Sequence, residues 1–413
     1  MIGIDRLQKW EERVRKQMRI LNITAQKPHS TGSGIYLTEL VKNWNALGYE
    51  QAVLAGVYEE DSVNFPEGVI FYPVKYLSEE LPFPIAGMSD EMPYKSTRYK
   101  DFTEEMFQAY RSAFQMVVRK AVEEFCPDLI VCHHLYLLTA LVREWYPKKK
   151  VIGICHGSDL RQICKNPLQM EYIQKWIPQL DGIVALHDGQ KKEIIRIFNC
   201  GEKLVHTVGV GYNQNLFYRK KTEEKPYRQL AFAGKVTEKK GIFSLLRALE
   251  MLSVKPENLV VKIAGGHGSR EEYEEICRLA RECRYPVIFL GSLQQEALAE
   301  VFRQSDVFAL PSFFEGLPLV TMEAMACGCK VVCSQIPGME EWLDEHVPGQ
   351  QVEFVPLPEM TRVDEPKEEK LPEFEKKLAE AIEKKLEQQQ EECPDLNGVS
   401  WEGISRTVLE MIT

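Results

Sequence analysis

Residues Ser305 to Cys333 read SDVFALPSFFEGLPLVTMEAMACGCKVVC, and the fold is decided there. The apolar run Val307 to Leu310 predicts a strand, Lys330 to Cys333 predicts a second, and a short helix lies between them, a βαβ unit. Pro318 suits the first helical position, where its missing N–H costs nothing, and Gly328 suits the left-handed residue just past the end. The amino end of such a helix attracts a phosphate through its unpaired N–H groups and dipole, and Gly316 lets the backbone come close. Glu315 and Glu323 bracket that spot, the second roughly 8 Å further along at ~1.5 Å per residue. A nucleoside diphosphate sugar spans such a gap, with its diphosphate on the helix end, its hexose near Glu315 and its ribose near Glu323. Two glutamates on a solvated helix would carry no function. Here apolar Leu319, Met322, Met325 and Ala326 are expected to take the buried face.

The stretch PSFFEGLPLVTMEAMACGCKVV closely resembles the E-x7-E region of the family-4 retaining glycosyltransferases. The resemblance implies that Glu315 contacts the transferred sugar and that Glu323 holds the ribose. It also implies that Gly316, Leu317, Pro318 and Leu319 form the end that meets the diphosphate.

A chain of 413 residues predicts about two domains of ordinary size. Its 44% hydrophobic and 27% charged content is that of a soluble globular protein, and a net charge of −10 argues against a nucleic-acid groove as its main business. No apolar run approaches the ~18 residues of a membrane span, and the amino terminus lacks a signal-peptide core. The expectation is a cytoplasmic protein with at most peripheral membrane contact. Eleven cysteines are an odd number. Cys132, Cys155, Cys327 and Cys333 sit in apolar runs and read as buried structural thiols; no second pair joins Cys327 and Cys329 at zinc spacing.

Residues 1–17 form a charged, helix-prone extension with a thin stripe of Leu7, Trp10 and Val14. The first domain is expected over 18–207, opening with the strand MRILNIT. A glycine loop, Gly32, Ser33 and Gly34, then leads into an amphipathic helix carrying Leu37, Leu40, Val41 and Trp44. It lacks the G-x-G-x-x-G pattern of a dinucleotide site and reads on its own as a tight strand-to-helix turn. The irregular stretch PFPIAGMSDEMPYKSTRYKDFTEE interleaves aromatic and basic residues (Tyr94, Lys95, Arg98, Tyr99, Lys100), which suggests acceptor contact. Strand DLIVCHH ends in His133 and His134, and VIGICHGSDL ends in His156, Gly157 and Asp159. An imidazole at the carboxyl end of a parallel strand points into the crevice where open α/β sheets bind ligands.

A polar linker and hinge is expected between about Val205 and Gln229. The second domain spans 208–395, with LAFAGKV, a loop offering Gly234, Lys235, Lys240 and Gly241, and turns at Gly265, Gly266 and Gly268 and at Gly291, Ser292 and Leu293. Residues 359–395 are rich in Glu and Lys, with Phe374, Leu378, Ile382 and Leu386 recurring every four positions, an amphipathic helix. Residues 396–413 are a terminal helix.

The resemblance covers nearly all of 18–413 with its motifs in order, and it implies two Rossmann-like α/β domains facing across a cleft, the GT-B architecture, with the terminal helix crossing back to the first domain. It implies that Gly32, Ser33 and Gly34 approach the diphosphate and acceptor, that His156 of the H-G-x-D turn with Asp159 sits beside the transferred sugar, and that Lys235 and Lys240, following Gly234, clamp the diphosphate. Lysine stands at 235 where the family pattern has arginine, which keeps the charge and loses the bidentate fork. The turns at Gly291 and Leu293 would enclose the base. The expected activity is retaining transfer of a sugar from a nucleotide diphosphate sugar, with uridine diphosphate as the carrier the resemblance favours. The acceptor would be a glycan, a lipid-linked or a small molecule. The absence of any D-x-D pair favours metal independence, and no cofactor beyond the donor substrate is expected. The alternatives are an epimerase or phosphorylase of the same fold, or a catalytically idle sugar-nucleotide-binding partner protein.

Overall fold

The computed structural model describes residues 18–89, 91–221, 225–315, 317–362, 364–389 and 394–411; the expected extension 1–17 and Gly316 lie outside them. The chain divides into two compact units, Met1–Gly209 with Trp401–Thr413, and Val210–Ser400.

The first unit begins with β1 (Arg19–Thr24), α1 (Gly32–Ala46), β2 (Glu50–Val57) and β3 (Ile70–Lys75). Next come the two-residue strands β4 (Ala86–Gly87) and β5 (Thr97–Arg98), α2 (Glu104–Phe125), β6 (Leu129–His133), α3 (Leu137–Trp145) and β7 (Lys150–Ile154). It continues with α4 (Ser158–Lys165), α5 (Met170–Trp176), β8 (Gly182–Ala185), α6 (Asp188–Phe198) and β9 (Val205–Thr207). Its seven-stranded sheet is parallel, in the order β3-β2-β1-β6-β7-β8-β9. Central strands such as β6 are buried along their whole length, as expected where helices cover both faces. The order reverses between β1 and β6, and open sheets bind ligands outside the carboxyl ends of the strands at such a point.

The second unit holds β10 (Arg228–Ala233), α7 (Ile242–Leu249), β11 (Leu259–Ala264), α8 (Arg270–Glu282) and β12 (Val287–Gly291). It goes on through α9 (Gln295–Arg303), β13 (Val307–Leu310), α10 (Leu319–Ala326), β14 (Lys330–Ser334), α11 (Met339–His346) and β15 (Glu353–Val355). A small hairpin, β16 (Met360–Arg362) and β17 (Glu365–Pro366), precedes α12 (Leu371–Glu387). The six-stranded parallel sheet runs β12-β11-β10-β13-β14-β15 and reverses between β10 and β13. The last helix, α13 (Trp401–Glu410), belongs to the first unit, where Nε1 of Trp44 on α1 donates to the Ser405 carbonyl at 2.9 Å.

Three expectations change. In the aromatic-basic loop after β3, Tyr99 belongs to the core: it is 2% exposed and packs on Tyr136 and Phe102, while Lys95, Arg98 and Lys100 stay exposed and Arg98 pairs with Asp101 at the surface. Burying an aromatic ring outweighs presenting it to an acceptor there. The start of the expected linker is a strand, β9, and Val208, Val210, Tyr212 and Phe217 beyond it are buried. Pro318 caps α10 from outside instead of opening its first turn, with φ −74° and ψ 112°.

Backbone packing at the carboxyl end of the second sheet leaves no room for a side chain. A Cβ on Gly265, whose φ is +146°, would lie 1.8 Å from the Gly234 carbonyl oxygen. Gly265→Ala should therefore destabilise the protein by about 1–3 kcal/mol or more through backbone strain, lowering Tm by about 2–4 °C per kcal/mol. Chemical denaturation followed by circular dichroism checks this, and an unshifted midpoint would contradict the packing described.

Candidate functional site

In the second unit the loops after β10 and β13, which flank the switch point, carry Gly234, Lys235, Lys240 and Glu315, while Gly291 and Leu293 follow the edge strand β12. Gly234 leaves β10 with its N–H on the Ala264 carbonyl at 3.0 Å, and Val236 N–H reaches the Gly266 carbonyl at 2.8 Å. Gly265 N–H in turn donates to the Gly291 carbonyl at 2.8 Å, so the glycine turns after β10, β11 and β12 lie side by side. Lys235 and Leu293 are half-buried beside them.

A single 3-10 turn, Glu238–Lys240, follows, closed by Gly241 at φ +70°. A Cβ on Gly241 would stand 2.0 Å from the Pro311 carbonyl oxygen, so the turn is pressed against the segment leaving β13. Phe313 N–H fastens it from the other side by donating to the Lys239 carbonyl at 3.0 Å. The result is an ion pair: Lys240 Nζ lies 2.5 Å from Glu315 Oε1, which also accepts from Ser312 Oγ at 2.9 Å. Both charged groups keep some exposure, 26% and 16% of their side chains.

Leu317 is buried just before α10, and Pro318 gives that helix no side-chain cap, although its carbonyl accepts from Thr321 N–H at 3.1 Å. Glu323 is held at 7% exposure inside α10, which is buried over nearly all of its surface. Gly328 ends the helix at φ +95°, as expected of a glycine there.

The first unit brings three imidazoles together. His156 follows β7, and its ring stacks at 5.3 Å and 9° on His133 from the end of β6, with Nε2 3.1 Å from His133 Nδ1. His134 meets it edge-on at 4.8 Å, and Tyr36 of α1 does so at 5.3 Å. Burial, with smaller contributions from His134 and His133, holds the His156 pKa well below the ordinary imidazole value. Burial and then His134 bring His133 down to about 3, and burial lowers His134 against the opposing pull of Asp159. The cluster is neutral at physiological pH.

Asp159 departs from its expected place beside a ligand. It is fully buried, and its carboxylate accepts from Leu135 N–H at 2.8 Å and from His156 N–H at 3.2 Å. Ionised oxygens on backbone amides make strong hydrogen bonds, so Asp159 shapes the His156 turn from behind. Gly157 at φ +84° completes that turn. In the glycine loop, Gly32 is exposed, Ser33 Oγ pairs with Thr31 Oγ1 at 3.0 Å, and a Cβ on Gly34 would crowd the Lys27 carbonyl at 3.0 Å. Thr31 caps α1 by accepting from Gly34 N–H. Sequence reading missed Lys27, whose ammonium sits 2.5 Å from Asp61 and 4.2 Å from the centre of the Tyr58 ring. The available signal was a lysine at the start of the stretch KPHSTGSG that leads into α1.

Among the described residues no helix is long and apolar enough to cross a membrane. Residues 214–358 match the sequence model of the family described as glycosyl transferases group 1. An uncharacterised glycosyltransferase of Methanocaldococcus jannaschii is 29% identical over 267 residues, 52% of this chain and 67% of that protein. A D-inositol 3-phosphate glycosyltransferase of Corynebacterium diphtheriae is 28% identical over 203 residues, 45% of this chain and 46% of its own length. The matched part thus spans between about half and two-thirds of these relatives. In structure, the sucrose-phosphate synthase of Thermosynechococcus elongatus superposes with a TM-score of 0.68 at 16% identity, covering 96% of this chain and 98% of that one. Residues 214–358 thus carry that family's match, and the chain has the two-sheet α/β fold of the GT-B glycosyltransferases.

Proposed function

We propose that the chain is a retaining, metal-independent glycosyltransferase that takes a sugar from a nucleotide diphosphate sugar, with uridine diphosphate as the expected carrier. The observation that carries this reading is the Lys240–Glu315 ion pair, which joins the loops flanking the switch point of the second sheet, just ahead in the chain of an α10 that has no side-chain cap. As the anomeric bond stretches, charge develops on the leaving diphosphate, and preplaced cations and amides at that position lower the barrier. Lys235, Lys240 and the first amides of α10 are suited to that task without a metal ion. Glu315 is suited to accept from hydroxyls of the transferred sugar, and Glu323 from those of the ribose. Retention fits front-face attack, in which the acceptor hydroxyl passes its proton to the departing phosphate and the new bond forms on the side the old one leaves. The first unit, with its neutral His156 and the glycine loop Gly32–Gly34, suits the acceptor, a glycan, lipid-linked or small hydroxyl compound.

A thermal-shift panel of nucleotide diphosphate sugars tests the donor, since a ligand at a hundred times its Kd adds ~2.7 kcal/mol of stability. Nucleoside diphosphate released only when an acceptor is present supports transfer over hydrolysis, epimerisation or phosphorolysis. No shift with any donor would overturn the reading. Glu315→Gln should lower transfer by about 10²–10³-fold, the scale of losing one preorganised polar contact, while Tm stays within a few degrees. A fully active, normally folded variant would remove Glu315 from the mechanism.

The histidines give a signed pH dependence. Their folded pKa values lie below the unfolded value of about 6.5, so they cost nothing above that pH. Below it the unfolded chain binds protons that the folded one refuses, and stability falls by about 1.4 kcal/mol per pH unit for each histidine. Tm measured from pH 7 to 5 should therefore drop less steeply in His133→Gln than in the parent chain; parallel slopes would contradict a neutral buried cluster.

A further inference from the structure

The turn that carries Lys240 carries a second lysine with a different partner. Lys239 Nζ lies 2.9 Å from Oδ2 of Asp364, whose side chain is 1% exposed, while the lysine itself is 46% exposed. Asp364 stands between β16 and β17, and that hairpin begins beyond residue 358, where the family match ends. The hairpin base is closed by Lys367 N–H on the Glu359 carbonyl at 2.9 Å and by an ion pair between the same two residues. Phe313, which fastens the turn by its backbone, packs its ring on Phe374 of α12 at 5.6 Å. The Glu238–Lys240 turn is thus tied at four points: to Phe313 by backbone, to the Glu272 carboxylate through Glu238 N–H at 2.6 Å, to Glu315 through Lys240 and to Asp364 through Lys239.

Only one of these ties has to break if Lys240 is to reach a diphosphate. A buried carboxylate costs free energy unless it is paired, so Asp364 holds Lys239 firmly whether or not Lys240 moves. We propose that the hairpin of β16 and β17 is a brace for the donor loop, with Asp364 a positioning residue. It keeps the turn still while the Lys240 side chain exchanges Glu315 for an incoming diphosphate. The proposal rests on the donor-site reading given above.

Calorimetric titration of the full chain with uridine diphosphate, guanosine diphosphate and inorganic pyrophosphate tests it. Asp364→Asn should weaken the nucleotide that binds by about tenfold, a 1.4 kcal/mol change, and Asp364→Glu should restore it. The double variant Lys239→Met with Asp364→Leu removes both charges, so it should melt near the parent temperature and still bind as weakly as Asp364→Asn. In a Lys240→Ala background Asp364→Asn should have no further effect, whereas a general loss of structure would weaken binding additively. Should Asp364→Asn fail to fold, the double variant decides. Parent-like affinity in a folded Asp364→Asn or in the double variant overturns the brace alone. Failure of the parent chain to bind any of the three probes overturns the donor reading beneath it.

Discussion

The second unit depends on the close approach of three strand ends. Gly265 abuts the Gly234 carbonyl and Gly241 abuts the Pro311 carbonyl, at distances no Cβ could share. Parallel strands whose exits are pressed together bring their loops onto one small surface, and the loops after β10 and β13 flank the reversal in strand order. Glycine is required at both positions for space and for a positive φ. Lys240, next to Gly241, and Glu315, in the segment that follows Pro311, are then neighbours because their backbones are.

The two units solve the problem of a buried carboxylate in different ways. In the first, Asp159 spends its charge on backbone amides and so fixes the turn that presents His156. In the second, Asp364 and Glu375 take cations, Lys239 at 2.9 Å and Arg247 at 3.1 Å, each partner partly in water. A carboxylate buried as deeply as Asp364 or Asp159 keeps its partner, because leaving it unpaired is costly, whereas Glu315 at 16% exposure can release its lysine. Rigidity therefore sits behind the histidines and behind the turn of Lys239, and exchangeable pairing sits at Lys240 and Glu315 in the diphosphate site proposed for the second unit.

Much of this was legible in the sequence, for a physical reason: periodic apolar burial leaves a periodic trace. The stripe Leu37, Leu40, Val41 and Trp44 is completely buried, and Phe374, Leu378, Ile382 and Leu386 line the inner face of α12 as their four-residue spacing implies. The strand-helix-strand unit from Val307 to Ser334 stands where its apolar runs put it. The β16–β17 hairpin was not legible, because strands of two and three residues have no period and their key residue is held by a lysine 125 positions away. Asp159 misled for a related reason: backbone amides have no letter in a sequence, so a carboxylate that serves them looks free for a ligand. Tyr99 misled because an aromatic beside lysines looks the same on a surface and in a core.

On the proposed reading, the Lys240–Glu315 pair couples recognition of the diphosphate to recognition of the sugar. At a few ångströms and an effective dielectric of about 20, two unit charges attract by about 4 kcal/mol before desolvation is counted, and a diphosphate with more than one negative charge attracts the ammonium more strongly. Moving Lys240 to it would leave Glu315 half-buried with Ser312 as its remaining hydrogen-bond donor among the contacts described. A partly buried carboxylate short of donors is costly, and sugar hydroxyls are donors. A nucleoside diphosphate alone would therefore take the lysine and strand the glutamate, whereas the intact donor would satisfy both. That difference favours the sugar-bearing ligand over its product at the same site, and it requires the turn carrying Lys240 to stay in place while the side chain moves.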